Sequence, residues 1–142
     1  MNSTSAATAS AVTFVWLGMV LAISFLEAPL KFRAPGVTIP IGLGIGRLVF
    51  RALNLVEAAL AAAVIVAVVL GGPSTGIAVL TAVVAVLLLG QLAVVRPRLN
   101  RRSDRVLAGE ELPRSRGHLA YVALETAKVV VLVVLGISLL VA

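Results

Sequence analysis

Four apolar segments, each about 20 residues long, dominate this sequence. They run over about 11–30, 48–70, 75–95 and 119–141. A helix of roughly 20 residues, rising about 1.5 Å per residue, spans the hydrocarbon core of a bilayer, which is about 30 Å thick. Charged residues make up only 13% of the chain, against roughly 25% in soluble domains. The sequence therefore predicts an all-α integral membrane protein in which residues 1–142 form one four-helix transmembrane bundle.

Composition also excludes several functional classes. The chain has no cysteine, so it forms no disulfide, thiolate metal site or cysteine nucleophile. Its single histidine excludes a haem held by two axial histidines of one chain. The net charge is +6, but basic residues in a membrane chain more often report topology than nucleic-acid binding. We therefore expect the chain to lie in the lipid bilayer and to have no nucleic-acid partner. An enzyme is the third choice of function, since no nucleophile-and-base motif is present.

The distribution of basic residues predicts how the chain crosses the membrane. The stretch 96–117 carries seven arginines against three acidic residues, and four basic residues lie within or next to the connection 31–47. The connection 71–75 and both termini carry no charged side chain. By the positive-inside rule, we expect a multi-pass protein of the cell membrane. Its loops 31–47 and 96–117 then lie in the cytoplasm, and both termini lie outside.

Glycine and proline mark the predicted connections. Pro35, Gly36 and Pro40 separate the first two helices, because both residue types interrupt helices. The pattern leaves two alternatives for residues 36–47, a surface helix or an extension of the second helix. The segment before the first helix is rich in serine and threonine, and we expect it to be frayed.

The fourth predicted helix carries a polar stripe. His118, Tyr121, Glu125 and Lys128 follow one another at intervals of three and four residues, which places them on one face of a helix. Lys128 lies about 15 Å from the basic stretch along that helix, near the middle of the bilayer. An ionised side chain at that depth costs about 2.5–3.5 kcal/mol on insertion scales, so it needs compensation.

Polar residues also occur in the cytoplasmic halves of the other helices. They are Ser24, Glu27 and Lys31 on the first helix, Asn54 and Glu57 on the second, and Gln91 on the third. We expect Glu27, Glu57, Gln91, Glu125 and Lys128 to meet in one layer. The candidate ligand-binding residues are then Glu27, Lys31, Asn54, Glu57, Gln91, His118, Tyr121, Glu125 and Lys128.

Two hypotheses explain such a layer. In the first, it binds or conducts a cation, a proton or a small polar ligand, with Glu57, Glu125 and His118 as candidate metal ligands. In the second, the protein is an accessory or assembly subunit of a larger membrane complex and the layer is held by structural ion pairs. Spacing along the helices favours the pairs Glu27–Lys31 and Glu125–Lys128, and it leaves Glu57 without a partner in its own helix.

Other residues bear on packing and partners. His118 is expected at the membrane surface, and Trp16 and Tyr121 as interfacial or packing aromatics. The glycines of segment 42–46 and the alanines of segment 58–63 are typical of helices that approach closely. Their presence is compatible with a homo-oligomer or with a membrane-protein partner.

Short motifs give a family resemblance. They are Ala28-Pro29-Leu30-Lys31-Phe32, Gly46-Arg47-Leu48-Val49-Phe50, Arg96-Pro97-Arg98 and His118-Leu119. Together they resemble an uncharacterised family of four-helix membrane proteins, a domain of unknown function that includes a human transmembrane protein linked to platinum-drug resistance. The resemblance spans most of the chain and implies a four-helix membrane fold with a link to metal or drug handling. The chain departs from the family pattern at Glu27, Tyr121 and Glu125, where an apolar residue, a serine and an asparagine are expected.

Overall fold

The computed structural model describes residues 1–110 and 116–142. For residues 116 and 117 it describes the backbone only. Over these ranges the chain is helical and contains no strand. Its long helices are α1 (Ser3–Arg33), α2 (Ile39–Gly71), α3 (Thr75–Leu107) and α4 (Arg116–Leu140). All four are long and apolar enough to cross a membrane. The predicted all-helical chain with four such helices is thereby confirmed.

The start and end of α2 follow from its capping residues. The Thr38 side chain accepts a hydrogen bond from the backbone N–H of Ile41 at 3.4 Å, and Pro40 occupies the first turn, where its missing N–H is not needed. Gly72 ends the helix in the left-handed conformation, with φ of 70°. Of the two alternatives for residues 36–47, the structure has the extension, because α2 begins at Ile39 and is continuous to Gly71.

The third helix differs from the expectation. The stretch 96–117 was predicted as a loop, but α3 continues through the helical segment Arg96–Leu107, and residues 111–115 lie outside the described residues. Proline inside a regular α-helix is costly, because it lacks an N–H and crowds the carbonyl four residues earlier. Pro97 follows a π-helical segment, Gln91–Val95, whose wider turn accommodates it.

The same arrangement recurs in α1. Its π-helical segment, Leu21–Glu27, is followed directly by Ala28 and Pro29. The backbone N–H of Ala28 bonds to the carbonyl of Ile23, five residues earlier, as in a π turn. Each of these prolines therefore lies just beyond a widened turn of a continuous long helix.

The N-terminal segment is ordered into α1, which differs from the expected frayed end. The side chain of Asn2 accepts a hydrogen bond from the backbone N–H of Ser5 at 2.8 Å and caps the helix. The backbone N–H of Asn2 also bonds to the carbonyl oxygen of Gly71 at 3.0 Å. Ala6 and Ala9 are buried. The polar residues expected to fray the chain thus provide the cap and a link to the end of α2.

The helices pack with α1 against both α2 and α4, and α3 against α4. Fully buried apolar side chains come from all four long helices and include Trp16, Val64, Val84 and Leu132. In the most apolar 18-residue stretch of each helix, only 28–33% is buried inside the bundle. Most of the apolar surface therefore faces outward, as a lipid-facing bundle requires.

Candidate site: a buried glutamate and lysine cluster

Three ionisable side chains meet in the middle of the bundle. This charged cluster consists of Glu57 on α2 and of Glu125 and Lys128 on α4, each with a side chain no more than 1% exposed. The ammonium nitrogen Nζ of Lys128 lies 2.5 Å from Oε1 of Glu125 and donates a hydrogen bond to Oε1 of Glu57. One buried lysine thus contacts carboxylates from two different helices.

Gln91 of α3 extends the charged cluster. Its side-chain oxygen accepts a hydrogen bond from Nζ of Lys128 at 2.8 Å. Its side-chain nitrogen donates one to Oε1 of Glu125 at 3.2 Å. The amide is therefore oriented with its donor toward the carboxylate and its acceptor toward the ammonium group, which satisfies both ends in a buried position.

Helix α1 supplies two further hydrogen-bond donors. The indole N–H of Trp16 donates to Oε1 of Glu57 at 2.9 Å. The hydroxyl of Ser24 donates to Oε2 of Glu125 at 2.6 Å. Side chains from all four long helices therefore converge on this point, and their hydrogen bonds fix the lateral positions of the helices.

The backbone explains how two of these donors reach Glu125. Ser24 lies within the π-helical segment Leu21–Glu27, and Gln91 begins the segment Gln91–Val95. A π turn accommodates one more residue than an α turn and changes the direction of the side chains that follow, and such turns are frequent at functional sites. Both uncharged side chains that donate to Glu125 thus come from widened turns.

The charges in the cluster do not balance. Two carboxylates face one ammonium group, so the cluster carries one excess negative charge when Glu57 and Glu125 are both ionised. Oε1 of Glu57 accepts from both Trp16 and Lys128. Oε2 of the same carboxylate is buried and, within the described part of the chain, has no hydrogen-bond partner. The unsatisfied oxygen therefore belongs to a cluster that carries an excess negative charge.

A cavity of about 500 Å³ connects this region with the basic end of the bundle. Its inner end is lined by Ser24, Tyr121 and Glu125, and its mouth by basic side chains, namely Lys31, Arg47, Arg96 and His118. We call it the entrance cavity. Glu125 lies nine residues, or about 14 Å, along α4 from Arg116. The cavity thus reaches one carboxylate of the charged cluster from the end of the helices.

Aromatic side chains form part of its wall. The guanidinium carbon of Arg96 lies 4.4 Å from the ring centroid of Tyr121 and 4.5 Å from that of Phe50. The two rings pack edge to face, with centroids 5.7 Å apart. Cation–π contacts of this kind hold an arginine without a carboxylate partner. Arg96 is therefore held at the cavity wall by aromatic rings, and no acid among residues 1–110 and 116–142 forms an ion pair with it.

The structure separates the residues that were expected in one layer. Glu57, Gln91, Glu125 and Lys128 lie together, whereas Glu27 does not join them. Glu27 forms its own pair with Lys31 at 3.8 Å, one helical turn away. Both pairings expected from helical spacing are therefore present, but only one of them belongs to the charged cluster.

The remaining candidates lie elsewhere. Asn54 faces a groove between α2 and α3, His118 is exposed and lines the entrance cavity, and buried Tyr121 lines the same cavity. Within residues 1–110 and 116–142, no group of three or more His, Asp or Glu side chains is arranged to hold a metal ion. The proposed metal ligands Glu57, Glu125 and His118 are thus not assembled into a site.

Sequence reasoning missed the contribution of Trp16. It was assigned to the interface or to packing, but it is fully buried and bonds to Glu57. The available signal was its position within an apolar segment, since a buried indole N–H requires a hydrogen-bond acceptor. Glu57 was the acidic residue that lacked a partner in its own helix, which made it the natural acceptor.

Comparisons with protein-family models, with curated proteins and with solved structures found no match. The function is therefore inferred from the chemistry of the charged cluster and of the cavity that leads to it.

Proposed function

We propose that this protein is a multi-pass membrane protein whose charged cluster binds a proton, taken up through the entrance cavity from the cytoplasm. The observation that carries the proposal is the buried Oε2 of Glu57, which has no hydrogen-bond partner among the described residues. It belongs to a cluster with one more carboxylate than ammonium groups. A bound proton removes the excess charge.

Burial explains why a proton is favoured. An isolated charge in the interior of a protein or membrane is costly, and a buried carboxylate commonly becomes neutral instead. With one proton bound, the charged cluster holds one carboxylate, one carboxylic acid and one ammonium group, and its net charge is zero. The ammonium group of Lys128 donates to both carboxylates and to Gln91.

A proton fits the site better than a metal cation. Ca²⁺ and Mg²⁺ require six or more oxygen ligands, whereas three of the four carboxylate oxygens in the cluster are already bonded to protein donors. A proton passes along hydrogen bonds and requires no coordination shell.

The proposed orientation follows from the basic residues. The mouth of the entrance cavity lies at the end of the bundle where α1 and α2 are joined and where the arginine-rich part of α3 extends. Short basic segments of this kind remain in the cytoplasm. The proton therefore enters from the cytoplasm, and both chain termini lie on the opposite side of the membrane.

Infrared difference spectroscopy between high and low pH tests this proposal directly. We expect the purified protein in lipid to show the C=O band of a carboxylic acid shielded from solvent, equivalent to one proton per chain. Glu57→Gln or Glu125→Gln should abolish the band, since each leaves a cluster that is neutral without a proton. Glu110→Gln, which removes an exposed carboxylate paired with Arg105, should leave it unchanged.

A second candidate function, that of an assembly subunit, is favoured by the number of internal contacts of Lys128. Its ammonium group is bonded to two carboxylates and to one amide of the same chain, so the cluster joins three helices without a ligand. If no shielded carboxylic acid is found at any pH, the proton-binding proposal is wrong and the cluster is a structural ion-pair network. The function is then that of an assembly subunit, and the next experiment is to identify its partner proteins.

A further inference from the structure

A second cavity lies on the outside of the bundle, between α2 and α3, with a volume of about 670 Å³. We call it the α2–α3 groove. Its polar wall consists of Arg47, Arg51, Asn54, Arg96 and Asn100. Its apolar wall includes Leu55, Ala58 and Leu92, of which Leu55 is 68% exposed. The groove is therefore open to whatever surrounds the helices.

The polar and apolar walls occupy different depths. Along α2, Arg47 and Arg51 come before Leu55 and Ala58, and Ala58 lies seven residues, or about 10 Å, beyond Arg51. Helix α3 runs in the opposite direction, so Leu92 lies deeper than Arg96 and Asn100. The charged side chains of the groove thus lie toward the end of the bundle, together with Leu48 and Leu107, and its lining toward the middle is apolar.

The polar wall carries positive charge that the described protein does not neutralise. Arg47 is paired with Asp104, but no carboxylate among the described residues pairs with Arg51 or Arg96. Arg96 is held by the rings of Phe50 and Tyr121. Two guanidinium groups are therefore present at the rim of an outward-facing groove without an anion.

The amides of Asn54 and Asn100 add neutral hydrogen-bond donors to this wall. Guanidinium groups match the geometry of a phosphate through paired N–H donors. Basic pockets between transmembrane helices on the cytoplasmic side are a recognised form of lipid headgroup site. The chemistry of the polar wall is therefore that of an anionic phosphate ester site.

We propose that the α2–α3 groove binds an anionic phospholipid of the cytoplasmic leaflet, with its phosphate on Arg51 and Arg96 and an acyl chain along Leu55, Ala58 and Leu92. A free phosphate ion satisfies the polar wall only and leaves the apolar wall uncovered. A phospholipid covers both. The inference goes beyond proton binding, and of the proposed function it requires only that the helices cross a membrane with their basic end in the cytoplasm.

The test is native mass spectrometry of the full chain released from nanodiscs. Dioleoylphosphatidylglycerol is the anionic probe, and dioleoylphosphatidylcholine, with the same acyl chains, is the zwitterionic control. We expect one tightly held phosphatidylglycerol per chain and weaker retention of phosphatidylcholine. Arg51→Gln should weaken phosphatidylglycerol retention about fivefold, and Asn100→Leu should weaken it less.

Arg98→Gln is the matched control. Arg98 is an exposed arginine of α3, and its replacement removes the same charge as Arg51→Gln. It should retain phosphatidylglycerol as the unmodified protein does. Equal losses in Arg98→Gln and Arg51→Gln would show general attraction to an anionic surface and overturn the proposal. Binding of inorganic phosphate that depends on Arg51, with no preference between the two lipids, would overturn the assignment to a phospholipid. Circular dichroism confirms that each variant remains helical.

Discussion

The two ends of the bundle are built on different principles. At the end that contains Gly71, the helices are regular and in close contact. A Cβ atom added to Gly71 would lie 2.6 Å from Cε of Met1 and 2.8 Å from Cβ of Ser5. One added to Gly136 would lie 2.7 Å from the ring of Phe14. Shape and van der Waals contact hold this end, as is usual where lipid removes the hydrophobic driving force.

From the middle of the bundle toward Arg96, charges and hydrogen bonds add to close packing, since a Cβ atom added to Gly42 would overlap the ring of Phe32. Both π-helical segments, the charged cluster, the entrance cavity and the α2–α3 groove lie there. The Gly71 end has a cavity of about 320 Å³ beside Met1, Ser74 and Ser138, whereas the cavities of about 500 and 670 Å³ lie beside the widened turns and the basic side chains. The comparison indicates that the charged and polar groups proposed to bind ligands are concentrated toward the Arg96 end.

Replacement of Lys128 by methionine should have the largest effect. The change leaves Glu57 and Glu125 close together and buried without their cation, which costs about 3–5 kcal/mol of stability in buried pairs. The measurement is the free energy of unfolding by titration with a denaturing detergent. The triple variant Lys128→Met, Glu57→Gln, Glu125→Gln should recover much of the loss. An unchanged stability of the single variant would show that charge does not hold this end.

Replacement of Gly71 by alanine should have an intermediate effect at the opposite end. The added methyl group overlaps Met1 and Ser5, and overpacking of this kind costs about 1–3 kcal/mol. The matched control is Gly76→Ala, because a Cβ at Gly76 meets nothing within 4 Å. Equal melting temperatures for the two variants would contradict close packing at the Gly71 end.

Replacement of Glu27 by glutamine should have the smallest effect, although it also removes a carboxylate from an ion pair with lysine. Glu27 is 36% exposed and lies 3.8 Å from Lys31, and exposed pairs contribute at most about 1 kcal/mol. The same unfolding titration compares it with Lys128→Met. A loss as large as that of the buried lysine would show that burial is not what distinguishes the two pairs.

Much of the architecture was predictable from the sequence because apolar length alone determines which segments can span a bilayer. The pair of Glu125 and Lys128 was also predictable, since residues three apart share a helical face. The length of α3 was not. Pro97 signals a helix end in an isolated sequence, and only the adjacent π-helical segment shows that the helix continues.

The composition of the charged cluster was only partly predictable for a related reason. Helical spacing gives contacts within one helix, but the contacts of Glu57 with Trp16 and Lys128 depend on how separate helices pack. Glu27 satisfied the same sequence pattern as Glu57 and lies outside the cluster. Rotation of a helix about its own axis decides such cases, and the π-helical segment Leu21–Glu27 changes that rotation in α1.

Arg96 lines both the entrance cavity and the α2–α3 groove. One guanidinium group therefore forms a wall common to the two, and an anion that draws it toward the groove changes the electrostatic potential at the mouth of the cavity. Two ligands that both depend on one such charge are thermodynamically linked, and linkage is reciprocal. By whatever factor a lipid changes the affinity for a proton, the proton changes the affinity for the lipid by the same factor.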